Sequence, residues 1–377
     1  MADTPPDPDR GAAGTEVQTV RALRALGHEV DAIWSTDLGR RIPHGNLHLL
    51  LELPYAYERA AAEAMRRKDY DVVHVNQPHG YRAARMLHRR RPGSVFIHRS
   101  HGFELHVEET LRPWQERFGD DVRGLVRRAA SRGLEPLLAR HSRAIMAEAD
   151  GHIVSSSLDA DFLKRHGVPS ERIAVIPQAA PDSFVASPAP AMNPSRLRKV
   201  LHVGQYAFVK APMITAAAMN RIAEVEGDVR FTWVCDRSHE AAIRALLTPA
   251  ANERLRVLPW TTQETLRDVY DEHGVFLFPS FFEGFGKAFI EAMSRGVCVI
   301  ASDVGGMHDV IDNSNGVLVP PGDAIAVAGA ALAVMRDPAR AAAMSSEAAL
   351  TARRYSWERV ARETADFYQS RLSAMRR

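Results

Sequence analysis

The 377-residue sequence has little of several things, and each shortage removes a class of protein. It holds two cysteines, Cys235 and Cys298, and no Cys-x-x-Cys pair, so neither a disulfide framework nor a cysteine zinc site is supported. A reducing, cytoplasmic location is the simplest expectation. No apolar run nears the roughly 20 residues that cross a bilayer. The opening stretch "MADTPPDPDRGAAG" is acidic and Pro-rich and has no hydrophobic core, so a secretory signal is not expected. A formal charge of +2 is too small to predict a nucleic-acid partner. No Gly-x-Gly-x-x-Gly follows a strand-like run, which argues against a nicotinamide dehydrogenase. Also lacking is the apolar strand that normally delivers a doubly wound domain to its first glycine turn, because only "DTPPDPDR" precedes "GAAG". Either the start lies upstream or the domain lacks its first central strand.

What is present is an alternation of short β-rich runs with longer Ala/Leu/Arg-rich segments, the pattern of βαβ units and parallel sheets. In the first half "TEVQTVRALRAL" predicts a helix, followed by a strand "EVDAIWS"; "DVVHVN", "SVFIHRS", "GHIVSSS" and "IAVIP" predict further strands. Between them, "YRAARMLHRRR" and the stretch from about Val122 to Glu148 predict helices. Residues 181–194, "PDSFVASPAPAMNP", carry four prolines and no apolar period and read as an interdomain linker. The alternation then restarts with "KVLHVG", "VRFTWVC", "LRVLPW", "GVFLFPS", "CVIASD" and "GVLVP". The expected domains are residues 1–185, residues 186–355, and a last helix over 356–377. Ser356 is an N-cap for that helix, and Trp357, Val360, Thr364, Phe367, Tyr368 and Leu372 form its apolar stripe.

The stretch "EGFGKAFIEA", residues 283–292, follows the strand-like "VFLFPS" and leads into helical composition. In open parallel sheets ligands collect at the C-terminal strand ends, so Glu283 falls in a turn above the sheet and Glu291 about two helical turns on. Gly284 and Gly286 leave backbone amides free beside a helix N-terminus that favours anions. Eight positions at about 1.5 Å each span up to about 12 Å. That reach suits a nucleotide-sugar, with one carboxylate on sugar hydroxyls, amides on the diphosphate and the other carboxylate on ribose hydroxyls. An ordinary strand-turn-helix with two surface glutamates is the bland alternative for the spacing alone. The Pro-Ser before it and Glu-Gly-Phe-Gly inside it favour the sharper reading.

This stretch resembles the donor-site signature of the retaining glycosyltransferases of family 4, and the likeness extends over most of the chain. "GHEVDAIW", "YDVVHVNQP", "ADGHIVSSS", "PSFFEGFGKAFIEAMSRGVCVIASDVGG", "NGVLVPPGD" and "YSWERVA" each match a segment of that family. The resemblance implies an α/β GT-B fold: two Rossmann-like domains facing across a cleft, with the C-terminal helix crossing back to the first. It implies that Lys210, after Gly204 in "HVGQYAFVKAP", binds the donor diphosphate, while Gln205 stands where the family has an arginine. A neutral amide gives about 1 kcal/mol where a charge-assisted bond gives roughly 1.5–3. Lys287, where the family usually has an apolar residue, either restores charge near the phosphates or is a solvated lysine. The donor set expected is Gly204, Gln205, Lys210, Glu283, Gly284, Phe285, Gly286, Lys287 and Glu291. "PQAAP" departs from the family at Gln178 and Ala179. His101 in "HRSHGFE" resembles the family histidine at the transferred sugar. With Lys210 and Glu283 it makes the expected catalytic set. Gly11 and Gly14 of "GAAG" resemble the glycine loop on the acceptor side.

The implied reaction is transfer, with retention, from a nucleotide-diphosphate sugar to an acceptor hydroxyl, without a cofactor or metal. No side chain is an obvious nucleophile; stabilising charge on the leaving phosphate is the main need. His98, His101 and His106 lack a common helical face for zinc. "DYD" at residues 69–71 reads as the opening of a strand rather than a metal motif. A catalytically weak relative that binds a sugar nucleotide or a protein is the alternative, motivated by Gln205, "PQAAP" and the absent strand; a sugar-nucleotide epimerase is another. Residues 82–91 hold five arginines and no acid, and residues 122–147 six arginines and one glutamate. These faces either rest on an anionic membrane or are solvated helix surfaces.

Overall fold

The computed structural model describes residues 1–9, 11–119 and 125–376 and divides into two compact units. Unit 1 comprises Met1–Glu109, Asp120–Gln178 and Trp357–Arg377; unit 2 comprises Thr110–Gly119 and Ala179–Ser356. Residues 122–124 of the helix expected from about Val122 to Glu148 lie outside the described residues, and so do the side chains of that basic stretch to residue 133. Among the described residues no helix is long and apolar enough to cross a membrane.

Unit 1 carries β1 (Val72–Asn76), β2 (Val95–Arg99), β3 (Gly151–Val154) and β4 (Ile173–Val175), all parallel and paired in that order. Every residue of β2 and β3 is buried, which is why these strands read as apolar runs rather than alternations. The C-terminal helix Trp357–Met375 belongs to this unit, where it packs along α1 (Gly11–Ala25) and against β2. Its Trp357, Val360, Thr364 and Leu372 are buried. Close packing of the helix depends on Gly151: a Cβ there would lie 2.8 Å from the Phe367 ring.

The strand expected over "EVDAIWS" does not form; residues 28–34 run unpaired as a strand. A strand exists only by pairing, and no continuous ladder forms along this segment. Met1–Thr4 lie between this segment and β1: the Met1 amine donates to His74 O at 2.6 Å, Asn76 N–H to Met1 O at 3.1 Å, and Ala2 N–H to Ile33 O at 3.0 Å. Gly11 and Gly14 form no loop either. Both sit in the first turn of α1, where alanines 12 and 13 favour helix and Thr15 Oγ1 bonds back to Gly11 O at 3.1 Å.

Unit 2 holds a complete six-stranded parallel sheet. Its strands are β5 (Lys199–Val203), β6 (Arg230–Val234), β7 (Leu255–Leu258), β8 (Val275–Phe278), β9 (Cys298–Ser302) and β10 (Gly316–Val319), in the order β10-β9-β8-β5-β6-β7. The order reverses between β5 and β8, and the crevice beyond the carboxyl ends of such a pair is where open α/β sheets bind ligands.

The proline-rich stretch 181–194 is not a free linker but part of unit 2. Prolines lack N–H groups while their neighbours' carbonyls still need donors. Fully buried Arg295 supplies them, bonding Phe184 O (2.7 Å), Ser187 O (2.8 Å) and Pro188 O (3.0 Å) and pairing with Asp271 at 2.6 and 2.9 Å. Arg196 does the same for Pro190 O at 2.6 Å. Residues 110–119 of α2 (Glu104–Phe118) also count with unit 2, where Trp114 stacks on Phe281 with ring centroids 4.7 Å apart. Gly322 allows this, since a Cβ there would come within 2.5 Å of the indole.

Candidate functional site

The reversal point of unit 2 gathers most of the expected donor residues. β5 ends at Val203, and Gly204 N–H extends the ladder to Val234 O at 3.1 Å. The chain then passes exposed Gln205 into the turn Phe208–Lys210 and through Ala211, a buried residue held at φ 49°. Left-handed geometry is unfavourable for alanine, and the surroundings impose it: Phe281 N–H donates to Val209 O at 2.9 Å, tying this turn to the loop after β8.

That tie brings Lys210 to Glu283. The ammonium lies 2.6 and 2.8 Å from the two carboxylate oxygens and 5.4 Å above the Phe278 ring, and Ser280 Oγ donates to Glu283 Oε1 at 2.7 Å. Glu283 is buried whereas the lysine keeps partial access to solvent. The pair is a charge-compensated group at a crevice rim, and its polar atoms are already oriented.

Gly286 follows at φ 93° and precedes α3 (Lys287–Ser294). A side chain there would meet Met307 Sδ at 2.8 Å. Gly284, expected to share this freedom, is not among the positive-φ residues. The tightest approach comes from a pair the sequence reading did not single out, Gly305 and Gly306, which open α4 (Gly305–Val310). A Cβ on Gly305 would lie 2.3 Å from Glu283 O, and one on Gly306 2.3 Å from the Phe285 ring. The signal was legible as a doubled glycine just past a strand end.

Glu291 points inward from α3, buried, with Tyr270 O–H donating to its Oε2 at 3.3 Å and Lys287 Nζ 3.8 Å from its Oε1. Burial pushes its carboxyl above the usual range, with Lys287 opposing the shift. Lys287 is therefore not a solvated surface lysine; it lies one helical turn from Glu291, largely buried beside it. Each glutamate of the spacing thus has its own lysine.

In unit 1, His101 stands just past β2 with Nε2 2.6 Å from Glu16 Oε1 on α1. Burial alone would raise the Glu16 carboxyl, but the bond to His101 and the nearby Arg99 outweigh it and hold it far below the usual range. Fully buried Arg99 donates from Nη1 to Thr19 Oγ1 at 3.1 Å. On the other side of the imidazole, Gln178 Nε2 lies 3.3 Å from His101 Nδ1, while Thr15 Oγ1 donates to Gln178 Oε1 at 2.9 Å. The residue that departs from the family pattern thus holds the histidine. Glu16, Thr15 and Gln178 were missed because their partners are 77 to 163 residues away in sequence.

His98 faces His152 at 3.2 Å and His106 faces Asp159 at 2.7 Å, so the three histidines of this segment have three different partners. Among the described residues, no group of three or more His, Cys, Asp or Glu is placed to hold a metal ion. On the basic face, Arg82 pairs with Glu58, Arg85 with Glu148 and Arg91 with Asp69, which neutralises much of the charge read at residues 82–91.

Two family models match, Glycosyltransferase Family 4 over residues 11–183 and Glycosyl transferases group 1 over residues 198–337. The chain is 28% identical over 243 residues to a D-inositol 3-phosphate glycosyltransferase of Xylanimonas cellulosilytica, covering 59% of this chain and 58% of that one. It is 31% identical to the Streptomyces avermitilis enzyme of the same name, over 62% and 54%. An O-antigen chain mannosyltransferase B of Escherichia coli is 30% identical over 30% of each chain. The match thus spans little more than half the length of the D-inositol 3-phosphate glycosyltransferases and under a third of the mannosyltransferase. Among solved structures, sucrose-phosphate synthase from Thermosynechococcus elongatus superposes with a TM-score of 0.75 at 23% identity, covering 99% of this chain and 98% of that one. Anabaena HepE, solved with UDP and glucose, gives 0.68 at 16%, covering 98% of each. The fold is GT-B.

Proposed function

We propose, from the premise that this chain belongs to the family 4 type of glycosyltransferase, that it moves a sugar from a nucleotide-diphosphate sugar to an acceptor hydroxyl with retention. The observation that carries the reading is the Lys210–Glu283 pair at the reversal of the unit 2 sheet, beside the N-terminus of α3. A diphosphate arriving there competes with Glu283 for the lysine, and the freed carboxylate then accepts hydrogen bonds from sugar hydroxyls. The bond from the anomeric carbon to the leaving phosphate breaks as the bond to the acceptor oxygen forms on the same face. The acceptor proton passes to a phosphate oxygen. Lys210 and the amides of residues 284–286 stabilise the growing negative charge. Glu291, whose carboxyl burial pushes above its usual range, accepts from the ribose. His101 contacts the transferred sugar, with Glu16 and Gln178 fixing its ring.

The UDP-bound neighbour favours starting with UDP-sugars, and the names of the curated relatives make D-inositol 3-phosphate the first acceptor to try. Thermal melts with UDP-, GDP-, ADP- and TDP-sugars identify the donor, since a ligand bound only by the folded state raises the melting point. Proton NMR of the first product reads the anomeric configuration, and chelator-treated enzyme tests independence from metal. Stabilisation by a donor with no nucleotide released to any acceptor would instead favour a sugar-nucleotide-binding protein. An inverted product would refute retention.

A further inference from the structure

Leu111, Trp114 and Phe118 fall at i, i+3 and i+7 of α2 and share one helical face. That face packs against the apolar core of unit 2 that holds Leu277 and Phe281, and residues 110–119 count with that unit. The indole of half-buried Trp114 lies flat on Phe281, with 11° between the ring planes, and Phe118 covers the same ring at 5.7 Å and 23°. Arg117 in turn lies over the Phe118 ring, 5.1 Å from its centroid. Enclosed in this way, Phe281 is fully buried although it stands in the loop after β8 rather than in the strand. No step of the proposed transfer uses this stack.

Phe281 is also where two turns are joined. Its N–H donates to Val209 O at 2.9 Å, and the Phe208 ring meets its own ring at 5.2 Å. The next residue of the first turn is Lys210; on the second, Ser280 before Phe281 and Glu283 after it are bonded to each other at 2.7 Å. The first turn does not hold itself. Ala211 follows Lys210 at φ 49°, a left-handed backbone that persists only while the surroundings enforce it. Whatever fixes Phe281 therefore fixes the geometry that sets the ammonium against the carboxylate.

We infer that Trp114 is a positioning residue for the Lys210–Glu283 site: stacked on Phe281, it holds the loop after β8 against the turn after β5 and so sets where the Lys210 ammonium stands. The inference rests on the proposed donor reading of that site and adds to it a support from the first third of the chain. Trp114 acts through Phe281 and touches no substrate in this role. A flat ring is what the geometry asks for, because the contact is a near-parallel stack and Gly322 leaves room for it. Loss of the stack frees Phe281 to shift, and its bond to Val209 O goes with it. A positive charge that must meet a growing negative charge loses most of its effect when it is misplaced by about 1 Å, so the loss falls on turnover more than on donor binding.

The test compares Trp114→Ala with Trp114→Phe in the full chain. In Trp114→Ala the Phe281 amide is expected to exchange about tenfold faster or more, while the amides of Phe276 and Leu277 in β8 keep their protection. Its kcat is expected to fall about tenfold or more, with the donor KM changed less than about twofold. Trp114→Phe keeps a flat ring and should restore most of both. In a Lys210→Ala background the same alanine should cost little further turnover, because it acts through the lysine. Equal losses in the two backgrounds, or a Phe281 amide that exchanges as in the unmodified protein, overturn the inference. Should Trp114→Ala fail to fold, Trp114→Leu, which keeps apolar cover without a flat ring, is read in the same way. If the unmodified protein releases nucleotide from no donor, the proposed function fails and calorimetry with inorganic pyrophosphate decides the inference. Weaker binding to Trp114→Ala than to the unmodified protein, with no such difference when Lys210 is already alanine, supports it; equal affinity, or no binding, refutes it.

Discussion

The two units are built on the same parallel α/β plan, yet one is closed and the other is not. Unit 2 pairs six strands and covers both faces, so its turns are pinned tightly enough to hold Lys210 within 3 Å of both Glu283 oxygens. Unit 1 pairs four strands, leaves residues 28–34 without a ladder, and buries an amine where unit 2 has continuous sheet. The difference teaches that where strands are paired on both sides of the reversal point, the turns at their ends are tied to each other, as the Phe281 N–H to Val209 O bond ties them in unit 2. A domain can keep its helix packing and polar clusters while its central ladder is incomplete.

The sharpest way to break this contrast is to loosen unit 2. Arg295→Ala strips three carbonyls and Asp271 of their buried partner and is expected to cost about 3–5 kcal/mol. Urea unfolding monitored by amide exchange should place that loss in unit 2 and leave unit 1 protection unchanged. Next, Lys210→Ala should lower turnover roughly a hundred-fold or more, as removal of a preorganised charge-stabilising group does. Glu283→Gln, which keeps the shape, should weaken donor affinity less than it weakens turnover. Steady-state kinetics with the donor found by thermal melting checks both.

A smaller effect probes unit 1. The Met1 amine is lowered from 8.0 to about 6 by burial. Between those values the unfolded chain binds the proton and the folded chain does not, so stability should rise with pH across that window, by on the order of 2 kcal/mol. It should reach its full value above pH 8. Acetylating the α-amino group should flatten the dependence, and unchanged dependence would place it elsewhere. The smallest effect is expected from Gln178→Ala, about 1 kcal/mol for its hydrogen bonds. Its diagnostic is a change in the His101 ring-proton chemical shifts seen by NMR, from loss of the Gln178 contact at Nδ1, rather than the stability loss itself.

The Lys210–Glu283 cluster was largely legible because its residues are close in sequence or anchored to strand ends: "VFLFPSFFEGFGKAFIEA" contains strand, turn, helix and both carboxylates. Lys287 was legible only as a charge out of place. Its pairing with Glu291 needed helix geometry, and the neighbouring Tyr270 needed the packed core. On the other side, Gly11 and Gly14 were read as a loop from the family resemblance alone, with no strand-like run before them, and the structure places both in the first turn of α1. There local propensity decides, and the alanines make helix.

By itself the sequence determined the two α/β units, their parallel sheets and the strand-turn-helix that carries the glutamates, because periodicity and glycine placement act over a few residues. Only the tertiary structure decided which charges are free and which are matched, that the proline-rich stretch is bound to unit 2 by two buried arginines, and that Glu16 and Gln178 hold His101. Those outcomes depend on contacts between residues far apart in the chain, and burial sets their strength by removing the water that would otherwise compete for each polar group.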